Sequence, residues 1–228
     1  MLRAVLIDMD DTLYDERSYV LSGFQVVAEA IATRHPGVDA EMLLADMTVE
    51  LDAYGRGRVF DEALARAGLT PTPSLVAELV GLYREHRPRI ALWPGVSEAL
   101  AEIGAHCRTA IVTDGLAQMQ RRKVEALGLA ARVDEVLYCW EHDAAKPAPD
   151  CYAEALRRLG ARPDEAVVVG DRPDHDMAAA RAIGCRSIRV LTGRFAQAGD
   201  AGFPADATAA DFTGVPAILR GEQFGAAA

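Results

Sequence analysis

Asp8, Asp10 and Asp11 stand together directly behind an apolar run, Ala4-Val5-Leu6-Ile7, and Thr12 follows them. Four apolar residues in succession read as a strand buried on both faces, as in parallel sheets. Side chains alternate along an extended segment, so Asp8 and Asp10 leave the strand end on the same side. Two carboxylates on one face repel each other and are costly unless a cation or a reaction uses them. A solvated acidic turn would explain one such Asp far better than it explains the pair. The stretch is a candidate active site, and its chemistry requires a cation and further polar groups from elsewhere in the chain.

Three later segments offer those groups at the same kind of place. Thr113, Asp114 and Gly115 follow the apolar run Thr109–Val112; Lys146-Pro147 sits in a loop after Val133–Cys139; and Gly170-Asp171 ends Ala166–Val169. Lys123 and Lys146 are the only lysines, every other basic residue being Arg, so a lysine in a suggestive position carries unusual weight.

The elements that must position these residues follow from the pattern. From Asp15 to Arg87 the apolar residues fall at helical spacing, which predicts four helices: one through Phe24, Val27, Ala28 and Ile31, then Ala40–Ala53, Val59–Ala67 and Ser74–His86. Beyond Trp93-Pro94-Gly95, helices at Val96–Gly104, Gln118–Leu127, Asp150–Leu159 and Met177–Ile183 alternate with strands at Thr109–Val112, Val133–Cys139, Ala166–Val169 and Ser187–Val190. Ala210–Leu219 is expected to add an edge strand or a short helix, and Gly221–Ala228 to fray. The reading is an α/β fold: a doubly wound, mainly parallel Rossmann-like sheet (residues 1–14 and 88–228) with an inserted all-helical cap (residues 15–87). Ligands of such sheets bind at the carboxyl ends of the strands, where strand order reverses. Every candidate residue outside the insert lies just past a predicted strand end.

The bulk composition narrows the partners. The 228 residues carry a formal net charge of −10, which argues against nucleic acid and against anionic membrane. Cys107, Cys139, Cys151 and Cys185 are scattered, without a C-x-x-C pair, and are expected to be reduced thiols. No basic segment leads into an apolar one, and no apolar run approaches membrane length. A cytoplasmic protein is expected.

Taken in order, Asp8-x-Asp10-x-Thr12, Thr113, Lys146-Pro147 and Gly170-Asp171-x-x-x-x-Asp176 resemble the four motifs of the haloacid dehalogenase-like hydrolases. The resemblance covers essentially the whole chain. It implies an aspartyl-phosphate mechanism with Asp8 as nucleophile and Asp10 as acid and then base. Mg²⁺ would be held by Asp8, the backbone carbonyl of Asp10, and Asp171. Thr113 would bind a phosphoryl oxygen, helped by backbone N–H groups around Asp114 and Gly115, and Lys146 would offset negative charge. Asp176 would orient Lys146 or the metal's waters, a part for which Asp174 competes. Many relatives carry Asn at the position of Asp114; Asp114 is grouped with Thr113 and Gly115 at the substrate side, but an acid near a phosphate is unfavourable unless it points away, so its role stays open. Asp11 is left without a role.

Within that superfamily, dehalogenases lack the second Asp, which this chain keeps as Asp10. Phosphonoacetaldehyde-type enzymes need a cap lysine, and residues 15–87 contain none. The resemblance therefore implies a phosphatase for a small metabolite such as a sugar phosphate or nucleoside monophosphate, acting as a monomer or homodimer. A phosphomutase using the same intermediate, and a non-catalytic phosphate- or metal-binding regulator, are the alternatives. Arg56 and Arg58, in Gly55-Arg56-Gly57-Arg58 between two cap helices, are candidates for binding a further polar or anionic group of the substrate.

Overall fold

The computed structural model describes residues 1–142 and 145–225, without the side chain of His142. The chain forms two compact units, Met1–Glu16 with Ala91–Ala228, and Arg17–Ile90.

The larger unit is built on strands β1 (Ala4–Ile7), β2 (Arg108–Thr113), β3 (Glu135–Tyr138), β4 (Ala166–Gly170), β5 (Arg186–Val190) and β6 (Ala207–Ala209). They form one sheet in the order β3-β2-β1-β4-β5-β6. All its pairings are parallel; Leu6, for example, lies between Ala110 and Val168. Every residue of β1 and β4 is buried, as their unbroken apolar runs require. On one face Ala4, Leu6, Ala110, Val112 and Val168 meet Cys151, Tyr152, Ala155 and Leu156 from helix α7 (Asp150–Leu159). Burying each large aliphatic or aromatic side chain there contributes about 1.5–3 kcal/mol. Strand order reverses between β1 and β4, which places the ends of these two central strands at the expected ligand crevice.

The smaller unit is helical: α1 (Glu16–Arg34), α2 (Ala40–Tyr54), α3 (Val59–Arg66) and α4 (Pro73–Glu85). Asp39 caps α2 by accepting from the backbone N–H groups of Glu41 and Met42, and Thr72 caps α4 by accepting from Leu75. Phe24, Phe60 and Tyr83 pack with ring centroids 5.9–6.1 Å apart.

Several boundaries differ from the pattern reading. β3 is shorter than Val133–Cys139, because Cys139 already turns into a 3-10 segment. A π-helical turn, Pro173–Met177, precedes helix α8 (Ala178–Ile183). The edge strand β6 lies before Ala210, and the following segment forms a 3-10 turn and helix α9 (Val215–Arg220). The expected fraying is corrected at Phe224, which is buried, with the Arg186 guanidinium donating to the carbonyls of Gln223 and Phe224 and stacking near the Phe224 ring. The rest of that expectation, residues 226–228, lies outside the described residues.

Candidate active site

The carboxyl ends of β1 and β4, with the loops after β2, β3 and β5, enclose a cavity of about 130 Å³. Asp8, Asp10, Asp11, Asp114, Lys146, Asp171 and Asp176 line it, with Arg172, His175, Arg194 and Phe195.

Asp8 is buried one residue past β1. The Lys146 ammonium donates to its Oδ1 and the Thr12 hydroxyl donates to its Oδ2, at 3.0 Å. Burial drives the Asp8 carboxyl up to about 7 against the opposing charge of Lys146, and Asp176 pushes the same way as burial. Lys146 also donates to Asp176 Oδ1 at 2.8 Å. Burial alone would favour a neutral amine, but Asp176 and Asp8 outweigh it and hold Lys146 as a cation.

Asp176 has three donors: Lys146 and the Tyr152 hydroxyl donate to Oδ1, each at 2.8 Å, and the Arg172 backbone N–H donates to Oδ2 at 3.2 Å. The π-helical turn brings Asp176 back against the end of β4, and only a glycine at position 170 admits it, since a Cβ there would lie 2.4 Å from Asp176 Oδ2. Asp174, the sequence rival for this role, is half-exposed and paired with Arg172 at 2.8 Å.

Asp171 is the opposite case. Its Oδ2 is buried without a hydrogen-bond partner. Burial first, then the nearby charges of Asp8 and Asp176, drives its carboxyl up to about 9. Asp8, Asp171 and Asp176 each offer an oxygen, and these lie within 4.8 Å of one another. An all-oxygen cluster with an orphaned acceptor fits a hard divalent cation such as Mg²⁺. Asp176 already takes three donors against two on Asp8 and none on Asp171 Oδ2, so Asp8 and Asp171 are the side chains with the most capacity for it.

Asp10 faces a different set of donors. Lys123 Nζ lies 2.8 Å from Oδ1 and 2.9 Å from Oδ2, Gln120 Nε2 donates to Oδ2 at 2.8 Å, and the Tyr14 hydroxyl donates to Oδ1. Burial would raise the Asp10 carboxyl, but Lys123, with Tyr14 and Gln120, overrules it and holds the group below its ordinary value. Sequence reading missed Lys123 and Gln120, both on α6 (Ala117–Ala126). The signal was present: Lys123 is one of two lysines and shares the buried helical face of Gln120, Val124 and Leu127.

Thr113 ends β2, buried, with its Oγ1 accepting from Gln120 Nε2. Helix α6 begins just beyond Gly115 without a side-chain cap, its Met119 and Gln120 N–H groups donating to the Leu116 carbonyl. Asp114, whose role the sequence left open, lines the cavity, and its Oδ1 is buried without a hydrogen-bond partner. Arg56 and Arg58 lie in the helical unit, where the structure separates their surroundings. Arg56 lines a cavity of about 220 Å³ with Phe24, Phe60 and Tyr83, whereas Arg58 is exposed and pairs with Glu62 at 3.2 Å.

Asp11, without a role in the sequence, has a structural one. It adopts the left-handed conformation (φ 56°), accepts from the backbone N–H groups of Glu16 and Arg194, and through its carbonyl accepts from the Thr192 hydroxyl at 2.6 Å. It fastens the loop after β5 to the loop after β1.

Residues 2–184 match the profile of the haloacid dehalogenase-like hydrolases, and the chain belongs to that family of enzymes. It is 33% identical over 201 residues to a glyceraldehyde 3-phosphate phosphatase of Methanopyrus kandleri, covering 86% of each chain. It is 37% identical over 139 residues to a phosphoserine phosphatase of Thermus thermophilus, covering 60% of this chain and 55% of that one. Among solved structures, a 2-haloacid dehalogenase from Pseudomonas syringae superposes with a TM-score of 0.67 at 27% identity, over 96% of this chain and 98% of that one. No helix among the described residues is long and apolar enough to cross a membrane.

Proposed function

We propose that this enzyme is a Mg²⁺-dependent phosphatase of small phosphorylated metabolites that carries the phosphoryl group transiently on Asp8. The observation that carries the reading is the buried Asp8 carboxyl, bonded to the Lys146 cation and clustered with Asp171, whose Oδ2 has no hydrogen-bond partner. The phosphatases among the relatives, of triose phosphate and of phosphoserine, support it.

Asp8, Asp171 and the backbone carbonyl of Asp10 would hold the metal. Mg²⁺, when bound, supplies the positive charge that lets a phosphate dianion approach a carboxylate. Asp8 attacks phosphorus; a bond from its carboxylate oxygen to phosphorus forms as the ester P–O bond breaks. Thr12 holds the second oxygen of Asp8, so the attacking carboxylate keeps one orientation. Lys146 offsets the charge shared by Asp8 and the phosphoryl group, and Asp176 fixes Lys146 in that place. Thr113 and the backbone N–H groups around Asp114 and Gly115 would take phosphoryl oxygens. Asp10 in its protonated form would give a proton to the departing alkoxide, and the resulting carboxylate, which Lys123 stabilises, would remove one from the water that releases phosphate from Asp8. Asp10 is the group a dehalogenation would not need, because a halide leaves without a proton.

Selectivity among metabolites is assigned to the helical unit, with Arg56 and Arg58 as its candidate contacts. If neither Ala variant changes kcat/KM across a panel of phosphorylated metabolites, that assignment is wrong.

A phosphate-release assay with Mg²⁺ over sugar phosphates, phosphoserine and nucleoside monophosphates tests the main reading. Hydrolysis is expected from the wild type, and Asp8→Asn should reduce it at least about 10³-fold. Isomerisation of a sugar phosphate without release of free phosphate would overturn the phosphatase reading in favour of a mutase.

A further inference from the structure

Lys146, Arg172 and Arg194 are among the described residues that line the catalytic cavity, and they differ in what they touch. Lys146 is held between Asp8 and Asp176, and the Arg172 guanidinium pairs with Asp174 at 2.8 Å. The Arg194 guanidinium makes no hydrogen bond or ion pair among the described residues.

The backbone that carries Arg194 is nonetheless fixed. It belongs to a 3-10 turn after β5, Gly193–Phe195. The Thr192 hydroxyl donates to the Asp11 carbonyl, the Arg194 N–H donates to the Asp11 carboxyl at 3.3 Å, and the buried Arg189 donates to the Phe195 carbonyl at 2.8 Å. The Arg194 guanidinium carbon lies 4.7 Å from the centroid of the Phe195 ring, and that of Arg172 lies 4.4 Å from the same centroid.

Two like charges drawn to one ring repel each other, and Asp174 answers only one of them. Attraction to a ring leaves the N–H groups of a guanidinium available, and their fork matches a carboxylate. Arg172 commits its fork to Asp174 through Nε and Nη2. Arg194 keeps its own for a partner from outside the chain. The sheet order also separates these arginines from the phosphate groups. Thr113 and Lys146 follow β2 and β3, on one side of β1, whereas Arg172 and Arg194 follow β4 and β5, on the other.

We propose that Arg194, with Arg172 beside it, forms a subsite for a carboxylate, and that the preferred substrates are small phosphate monoesters bearing a carboxylate near the ester. This rests on the reading of the cavity as a phosphatase site and names the substrate class it takes. A cavity of about 130 Å³ suits a compound of that size. Its lining lies wholly in the larger unit, so it separates acids from neutral esters whatever the helical unit selects.

Equilibrium binding tests the subsite apart from turnover. Calorimetric titration of Asp8→Asn protein with Mg²⁺ gives Kd for three pairs of esters, each an acid and a counterpart without the carboxylate. The pairs are phosphoglycolate and ethyl phosphate, 3-phosphoglycerate and glycerol 3-phosphate, and phosphoserine and phosphoethanolamine. The acid of at least one pair should bind about five- to tenfold more tightly, between the effect of a solvated ion pair and that of a buried charge-assisted one. Adding Arg194→Gln should bring that ratio under about twofold, chiefly by weakening the acid. If that variant does not fold, as judged by circular dichroism, Phe195→Leu carries the test with a smaller fall in the ratio and the same overturning outcomes.

No preference for the acid in any pair would overturn the subsite, and so would a ratio that the substitution leaves unchanged, whether both members weaken or neither does. Phosphate release from p-nitrophenyl phosphate by the wild type is read separately. Its absence beside a carboxylate preference would overturn the phosphatase reading and leave the subsite standing; its presence without that preference would do the reverse.

Discussion

Asp171 keeps a buried acceptor without a donor while Asp176, five residues on, has three donors, and the contrast has a thermodynamic consequence. The carboxyls of Asp171 and Asp8 stand at about 9 and about 7, above their ordinary 3.8. An acid raised on folding costs nothing below its unfolded value and carries its full penalty above its folded one. The metal-free protein should therefore lose stability as pH rises from about 4 to about 9. Asp10 is shifted the other way, but its contribution is lost only below the ordinary carboxylate range, so it does not oppose the trend at neutral pH. Mg²⁺ should restore stability at pH 8 and do little at pH 5, as read by thermal melts. Asp171→Asn should raise the melting temperature of the metal-free protein at pH 8, by the equivalent of about 1–3 kcal/mol, and abolish the Mg²⁺ effect. A Mg²⁺ shift that survives in Asp171→Asn would remove Asp171 from the metal site. At this scale the sequence was informative where residue type is rare or repeated. Asp8 and Asp10 stood out as a pair behind an apolar run, and Lys146 stood out through lysine's scarcity. Lys123 had the same scarcity, but its partner lies 113 residues away. Only the fold brings its helix face to Asp10.

The strands were legible because β1 and β4 are buried on both faces and carry no polar residue to blur the pattern. What resisted was the geometry at element ends. The π-helical turn before α8 has no period in sequence that separates it from the helix it leads into, yet it decides that Asp176 rather than Asp174 meets Lys146. The left-handed turn at Asp11 is equally silent, since its meaning depends on the loop after β5. There Gly193 has φ 61°, and a Cβ on it would sit 2.1 Å from Asp11 Cγ. Gly193→Ala should therefore part the two loops, at a cost of about 2 kcal/mol or more from backbone strain and the clash. Arg194 and Phe195, which line the catalytic cavity, follow directly, so KM should rise as stability falls. Combining Gly193→Ala with Asp11→Gly, which removes the Cβ at 2.3 Å along with the carboxyl, separates the two contributions. The clash disappears and the strain remains, so the double variant should destabilise by less than the sum of the singles. Strict additivity would show that the two residues do not meet.

Among the described residues, all six strands and every residue lining the candidate catalytic cavity belong to Met1–Glu16 and Ala91–Ala228. The helical unit enters the chain after Glu16 and leaves it at Ala91, and just outside those points the Trp93 backbone N–H donates to the Leu13 carbonyl at 3.1 Å. Two chain segments tied side by side at the root of an insert can be joined by a short flexible linker at small entropic cost. Replacing residues 17–90 with a few Gly and Ser residues should therefore leave a protein that unfolds cooperatively, with the α/β core carrying its own sheet and packing. If Asp8, Asp10, Lys146 and Asp171 suffice for phosphoryl transfer, the shortened protein will still release phosphate from p-nitrophenyl phosphate with Mg²⁺. Its kcat/KM values across metabolites that the full chain distinguishes should converge to within about tenfold, because contacts remote from the reacting group are what separate related substrates. A shortened protein that melts cooperatively but has no activity on p-nitrophenyl phosphate would place part of the chemistry in residues 17–90. One that keeps the full chain's preferences would place selectivity in the core, where Asp114 lines the cavity and carries a buried oxygen without a hydrogen-bond partner.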